Sequence, residues 1–477
     1  MNVRHIGLAG LLLPALATSA VADTLKVPSD EYPTIQSAID DATGEDRITV
    51  KAGHYRELLF IPGGKDGLEL SGAKGTIVSP PSEPELPAPE GVLLEDNLLI
   101  QSRDVTVRGM TFRHSERYGI RAVEPEGLGE PGPFGGITLD RVTIVNAAEV
   151  GMQLYGDDFV VSGCALIGCS GGLMAFGDGT RITKTRVEHD GERGILVEGD
   201  DVRVESCTLA YIDSSDGLGV YGAGAVVSRN KLSNIAEDAI VSEGSTVKAP
   251  HVIERNRIDV VGDSPMVVDG NGVRILRNTI DASEADCIEV NGDACLIDGN
   301  RLSRGADDSS GVYLVGSDNT ISKNRIDDFT GAGLEFVGDN NLVIKNTISR
   351  CGSQDEAGIR LDGQGNVVEA NRISDCDDSG IETNGGANTF TKNTISSCTD
   401  NGIEIDGGTG NVLDGNTVSR NLGDGLDNGG LGTVIRKNRF KGNLQDLSNR
   451  TNEGADLIDE GGNVFKTGSL EAEPVGL

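Results

Sequence analysis

Short apolar–polar alternations dominate this chain. From about residue 220 to 440, apolar residues take every second position in runs of three to five, and Gly, Asn or Asp closes each run. Alternation of that length predicts strands with one buried face. Each run is too short to hold alone. The runs recur in step. Asn230, Asn256, Asn278, Asn300, Asn324, Asn346, Asn371, Asn393, Asn416 and Asn438 follow one another at 22 to 26 residues, each with an apolar residue two positions later. Asn319, Asn341, Asn366, Asn388 and Asn411 form a second series five residues ahead of the first. Cys164, Thr185 and Cys207 extend the first series backwards. Three strands per period, repeated more than ten times, predict a solenoid of parallel stacked coils. At about 4.8 Å per coil, roughly sixteen coils make a rod on the order of 75 Å long.

The Asn columns have a physical cause. Asn tolerates the left-handed backbone of a tight bend. Its side-chain amide can bond to the coil above, so a column of Asn satisfies its own buried amides. Cys351, Cys376 and Cys398 each lie five residues after a ladder Asn. They are expected to stack as buried thiols rather than cross-link distant segments.

The N-terminus adds two features. Residues 32–42 (YPTIQSAIDDA) read as a short amphipathic helix, and residues 48–57 (ITVKAGHYRE) read as a first strand and turn. With the repeats, this opening resembles the right-handed parallel β-helix superfamily, the pectin-lyase-like solenoids. The resemblance implies an all-β, single-stranded right-handed parallel β-helix with coils of about 22 residues, its open end covered by the capping helix. It divides the chain into a signal peptide (1–22), a β-helix (23–465) and a tail (466–477). Within the β-helix, a cap spans about 23–45, irregular coils 46–220 and regular coils 221–465. The resemblance does not set an activity, because fold does not fix function. The motif set of polygalacturonases and the Y-G-x-D-P-H motif of alginate epimerases are absent. The Trp-containing motifs of pectin methylesterases and pectate lyases cannot occur in a chain with no Trp.

Residues 1–22 have a basic start (Arg4, His5), an apolar run from Ile6 to Ala17 and the small-x-small end Ala20-Val21-Ala22. This predicts a secretory signal cleaved after Ala22, hence a secreted or periplasmic protein with no membrane anchor. With 41 basic and 75 acidic residues, the net charge is −34. Such a surface disfavours nucleic acid. Aromatic residues at 4% leave little for a stacking platform. The chain is expected to be a monomer.

Against that charge, residues 101–121 carry five Arg (Arg103, Arg108, Arg113, Arg117, Arg121) and His114. Two irregular segments flank the stretch, 79–91 and 124–136, and insertions in solenoids often wall a groove. Arg113, His114, Arg117, Tyr118, His189 and Arg193 are the candidate catalytic residues. Arg121, Tyr155, Tyr211 and Asp213 are candidate substrate contacts. These types suit uronic-acid chemistry: Arg neutralises the sugar carboxylate, while His or Tyr moves the adjacent proton. Paired carboxylates suit glycoside hydrolysis instead, or Ca²⁺ as a cofactor. The reading that follows is a carbohydrate-active lyase, epimerase or hydrolase with a polysaccharide partner. A non-catalytic surface or sugar-binding rod is the alternative, and a periplasmic accessory protein of the NosD type is the third.

Overall fold

The computed structural model describes residues 22–81, 95–124, 134–306, 308–353, 356–450 and 456–466. Residues 1–21 of the expected signal peptide, most of the two irregular segments and nearly all of the expected tail lie outside the described residues. The chain is an all-β right-handed parallel solenoid of about nineteen turns. That exceeds the roughly sixteen coils expected from the sequence. Among the described residues, no helix is long and apolar enough to cross a membrane.

Each regular coil supplies one strand to each of three faces. In one coil these are Leu334–Val337, Leu342–Ile344 and Thr347–Cys351. The first pairs in parallel with Ile359–Asp362, the second with Val367–Glu369 and the third with Arg372–Ser374 of the next coil. The face that begins each coil is called the front sheet; it runs from Leu59–Ile61 to Ser448–Asn449. Alternation sends Ile, Val, Leu and Phe inward, where Phe112, Phe159, Phe336, Phe390 and Phe440 are fully buried. Burying each such side chain contributes about 1.5–3 kcal/mol.

The N-terminal end is closed as expected. The helix Ile35–Asp41 starts at Thr34, whose side chain and that of Ser37 form a capping box. Ile35, Ala38 and Ile39 are its buried face. Glu57 accepts the otherwise free backbone N–H groups of Ile35 and Gln36, both at 3.0 Å.

The Asn ladder lies at the turn between the second and third sheets. Asn346 shows its economy. Its Oδ1 accepts the backbone N–H of Asn324 at 2.9 Å and the Asn324 amide at 3.1 Å. Its own Nδ2 donates to the Ile321 carbonyl at 2.9 Å and to Asn371 Oδ1 at 3.0 Å. The side chain therefore serves the backbone of one neighbouring coil and the ladder of the other. The thiols at and near this column are buried.

The residue before each ladder Asn adopts left-handed backbone: Arg229, Arg255, Arg277, Lys323, Lys345, Lys392 and Lys437 have φ of 54–58°. For a residue with a Cβ this costs about 1 kcal/mol relative to Gly. Gly is needed at the opposite corner. Gly338 has φ 145°, and a Cβ there would strike the carbonyl oxygen of Gly316 one coil away.

Candidate functional site

The front sheet presents one outward side chain per coil at its centre, and the register fixes the order of this file. Arg121, Gln153, Met174 and Leu196 lie on successive strands. Gly219, Val241 and Val267 continue the file as an apolar stretch. Its character then changes. Glu289, Tyr313, Glu335, Arg360, Glu382, Glu404 and Asp427 follow, one per coil. Half of the face is thus smooth and apolar, and half is densely charged.

Three of the residues singled out in the sequence come together at the N-terminal end. The Arg117 guanidinium lies 4.8 Å from the centre of the Tyr118 ring, and that of Arg121 lies 5.4 Å from it. Arg117 also donates to the Tyr118 hydroxyl at 3.2 Å and pairs with Glu149 and Glu95 at 3.2 and 3.4 Å. Sequence reasoning missed their neighbour Asp96, which is 5% exposed. Burial pushes its carboxyl up to about 6, against the pull of Arg121 and Arg117.

The other candidates are dispersed. Arg113 ends the strand Thr106–Arg113 and, like His114 after it, is exposed. His189 belongs to the strand Arg186–Asp190 on the third sheet, and its side chain lies outside the described residues. Arg193 sits in the turn leading to the front sheet. Backbone bonds Gly194 N to Asp216 O and Gly217 N to Asp238 O place Asp216 and Asp238 on the same turn of the next two coils. Burial is the main cause that raises both carboxyls, Asp238 to about 6; Arg193 opposes the rise at Asp216, and Asp263 and Asp216 add to it at Asp238. Tyr155 stacks on Phe176 of the next coil, ring centres 4.8 Å apart, at the far edge of the front sheet. Tyr211 lies on the third sheet with φ 59°, and Asp213 follows in the exposed turn.

The most differentiated pair is in the charged half. Glu382 and Glu404 are directly opposite on adjacent strands, so their backbones are about 4.8 Å apart. Glu404 takes three donors: Ser379 Oγ at 2.8 Å and Asn401 Nδ2 at 3.1 Å on one oxygen, and Arg450 at 2.7 Å on the other. Arg450 reaches back from the last regular coil and also holds Asp427 at 2.6 Å and Asp406 at 3.0 Å. Its guanidinium is thus shared by three carboxylates. Among the described residues, no group of three or more His, Cys, Asp and Glu is arranged to hold a metal ion.

Glu382 is treated differently by its surroundings. Burial pushes its carboxyl up to about 7, and Asp406, Glu404 and Asp378 add to that while Arg360 opposes it. Arg360 is itself tied to Glu356 at 3.2 Å. Two carboxyls side by side, one keeping its proton near neutrality and one anchored by donors, form a pair able to give a proton and to attack or stabilise a cation. An open groove of about 790 Å³ lies elsewhere, along the third sheet, lined by Val260, Ala282, Arg304, Phe329 and Arg350 among others. Its lining also carries Glu284, Asp328, Asp375 and Asp377, and its arginines are engaged, Arg304 with Asp281 and Arg350 with Asp327.

Residues 97–249, 216–354 and 336–469 each match the family described as right handed beta helix region. The chain belongs to the right-handed β-helix family. No curated protein sequence matches it. Among solved structures, this β-helix is similar to the catalytic domain of a GH87 alpha-1,3-glucanase in complex with nigerose, at 12% identity and TM-score 0.35, covering 95% of this chain and 70% of that one. It is also similar to the periplasmic alginate epimerase AlgG, at 11% identity and TM-score 0.34, covering 77% and 76%. A third is the A-module of the Azotobacter vinelandii mannuronan C-5 epimerase AlgE6, at 12% identity and TM-score 0.27, covering 91% and 95%. None of these likenesses carries an activity to this chain.

Proposed function

We propose that this β-helix is an exported polysaccharide hydrolase, released by cleavage after Ala22, with Glu382 and Glu404 as its catalytic carboxyls. The observation that carries the reading is the environment of the pair. Neighbouring in register, they are driven toward different roles: burial keeps a proton on Glu382, and three donors bind Glu404 as an acceptor. Glu382 gives its proton to the glycosidic oxygen as the C–O bond breaks. Glu404 attacks the anomeric carbon. Water, deprotonated by Glu382, then releases the sugar from the Glu404 ester. Retaining enzymes hold their two carboxyls about 5–5.5 Å apart, a separation that neighbouring strands about 4.8 Å apart allow, so the expected outcome is retention of the anomeric configuration. Tyr313, Arg360 and the apolar file toward Met174 would lie along the bound chain.

The test is a panel of neutral and acidic polysaccharides assayed for new reducing ends, with the product anomer followed by NMR. Turnover with retention, abolished in Glu382→Gln and Glu404→Gln, supports the assignment. Inversion, or full activity in both variants, removes the pair from the chemistry.

A second reading rests on the Arg117–Tyr118–Arg121 cluster with Asp96. Two guanidiniums around a phenol suit capture of a sugar carboxylate and transfer of the neighbouring proton, as a lyase or epimerase requires. It predicts unsaturated or epimerised products from polyuronates that are lost in Tyr118→Phe and kept in Glu382→Gln.

A further inference from the structure

The charges of this chain are sorted by position. Ten rungs of the Asn ladder run from Asn230 to Asn438. At the left-handed position before each Asn, seven residues are Arg or Lys, and Gly299, Gly415 and Ala370 fill the others. At the position after each Asn, six are basic, among them Lys231, Arg257, Arg325 and Arg439, and four are Thr. None of these twenty positions is acidic, in a chain whose acids outnumber its bases 75 to 41. All the basic side chains are exposed. They form a straight double file, about 45 Å long at one coil per 4.8 Å.

The ladder itself does not require these side chains. The amide bonds run through the buried Asn, and the left-handed position favours Gly or Asn over any longer residue. Some of the bases meet acids on the flanking sheets, such as Lys323 with Asp298 at 3.0 Å and Lys392 with Glu369 at 2.9 Å. The ammonium side chains of these pairs are 65% and 69% exposed. Their carboxylates are 17% and 30% exposed, and pairs with one partner in solvent contribute little to stability.

We propose that this ridge binds an acidic polysaccharide lengthwise, with successive rungs meeting successive sugar carboxylates or sulfates. The straightness of the file and its pitch, close to one extended hexose unit per coil, favour that occupant. Duplex DNA presents phosphates at about 3.4 Å per strand along a helical track, which leaves a straight file after a few contacts. Single-stranded nucleic acid would call for aromatic platforms, and neither position carries an aromatic residue. The ridge is at the turn between the second and third sheets, so its occupancy is independent of the front-sheet chemistry.

The probe is sodium alginate of defined length, titrated into the full chain, with DNA oligomers and anionic vesicles as separate arms. Saturable alginate binding is expected, weakening by about tenfold or more between 50 and 200 mM salt as counterions are released. The variant K323N/K345N/K392N/K437N places Asn where left-handed backbone suits it, so the fold is kept and the melting temperature checks this. It is expected to lose at least tenfold in affinity. A control variant, K51S/K74S, is expected to bind as the unaltered chain does. No alginate binding at low salt, binding unchanged in the ridge variant, or tighter ridge-dependent binding of DNA or vesicles would each overturn the proposal.

Discussion

Replacing Asn346 by Ala tests whether the ladder carries the weight assigned to it. The side chain is 1% exposed. Its removal strands one buried backbone group, the N–H of Asn324, whose acceptor is Asn346 Oδ1, and takes the Asn346 Nδ2 bond from the Ile321 carbonyl, which keeps its place in the parallel ladder with Leu342–Ile344. Two other partners survive. The Asn324 amide still donates to the Ile297 carbonyl at 2.9 Å, and Asn371 Oδ1 still accepts the backbone N–H of residue 346 at 2.8 Å. A stranded buried group costs about 1–3 kcal/mol and a lost bond to a carbonyl that keeps another donor about 1 kcal/mol, so the loss should be about 2–4 kcal/mol. Solenoids can lose coils locally rather than all at once, so urea melting by circular dichroism should be joined by amide exchange. The exchange pattern is asymmetric. The Asn324 amide should lose about a hundredfold in protection, while the amide of residue 346 keeps its acceptor and most of its protection. Asn346→Cys should fall between, since Cys207 fills the same column and its thiol reaches the carbonyls of Glu205 and Ile182 at 3.5 and 3.7 Å. If Asn346→Ala costs no more than Lys345→Ala on the surface beside it, the ladder is ornament and the argument for the fold's stability is wrong.

Four further outcomes follow from named contacts. Hydrolysis should decline as pH rises through about 7, where Glu382 gives up the proton it must donate; a rate that keeps climbing to pH 9 excludes it as the acid. Arg450→Met should cut activity at least tenfold and lower the melting temperature, because Glu404, Asp406 and Asp427 lose their shared cation; unchanged kinetics would show that Glu404 needs no anchor. Gly338→Ala should destabilise by about 2 kcal/mol or more, as the new methyl meets the Gly316 carbonyl at a positive φ; equal denaturation midpoints would contradict the packing at that corner. Asp96, Asp238 and Glu382 have folded-state values raised to about 6, 6 and 7. Between about pH 4 and 7 the folded chain therefore holds more protons at these sites than the unfolded one, so their contribution to stability falls as pH rises through that window and is flat above it. The triple variant D96N/D238N/E382Q should show a smaller drop in melting temperature from pH 5 to 7.5 than the unaltered chain, and an identical drop would refute the assignment.

The winding was legible because each rung of Asn, and the apolar residue two places on, is dictated by a backbone need that recurs once per coil. The helix Ile35–Asp41 was legible from its apolar spacing, and Thr34 stands where a cap is required. Arg117, Tyr118 and Arg121 were found because they are close in sequence as well as in space. Asp96 was not, since the irregular segment 79–91 separates it from earlier strands and nothing local in the sequence marks it as buried. Glu382 and Glu404 were visible in the repeated Gly380-Ile381-Glu382 and Gly402-Ile403-Glu404. Nothing in either tripeptide marks its acid as one of a differentiated pair, because the partners lie one coil away and not along the chain. Arg450 is 46 residues from Glu404, and only its return from the last coil makes it a partner.

A solenoid reads chemistry at a distance of one coil, and this separates its faces by physical demand. The ladder turn must hide neutral amides inside, which leaves its outer positions free to carry any exposed charge; here that charge is positive in 13 of the 20 positions beside the ten Asn. The front sheet has no such internal demand, so its outward file can change from Met174 and Leu196 to Glu382 and Glu404 without disturbing a single backbone bond. Because parallel strands place like positions about 4.8 Å apart, any two acids one period apart on that file become a pair whose protonation each influences. The same repeat that makes the fold cheap to extend thus makes paired carboxyls cheap to build, and their differentiation depends on non-repeating donors, of which Arg450 is the decisive one.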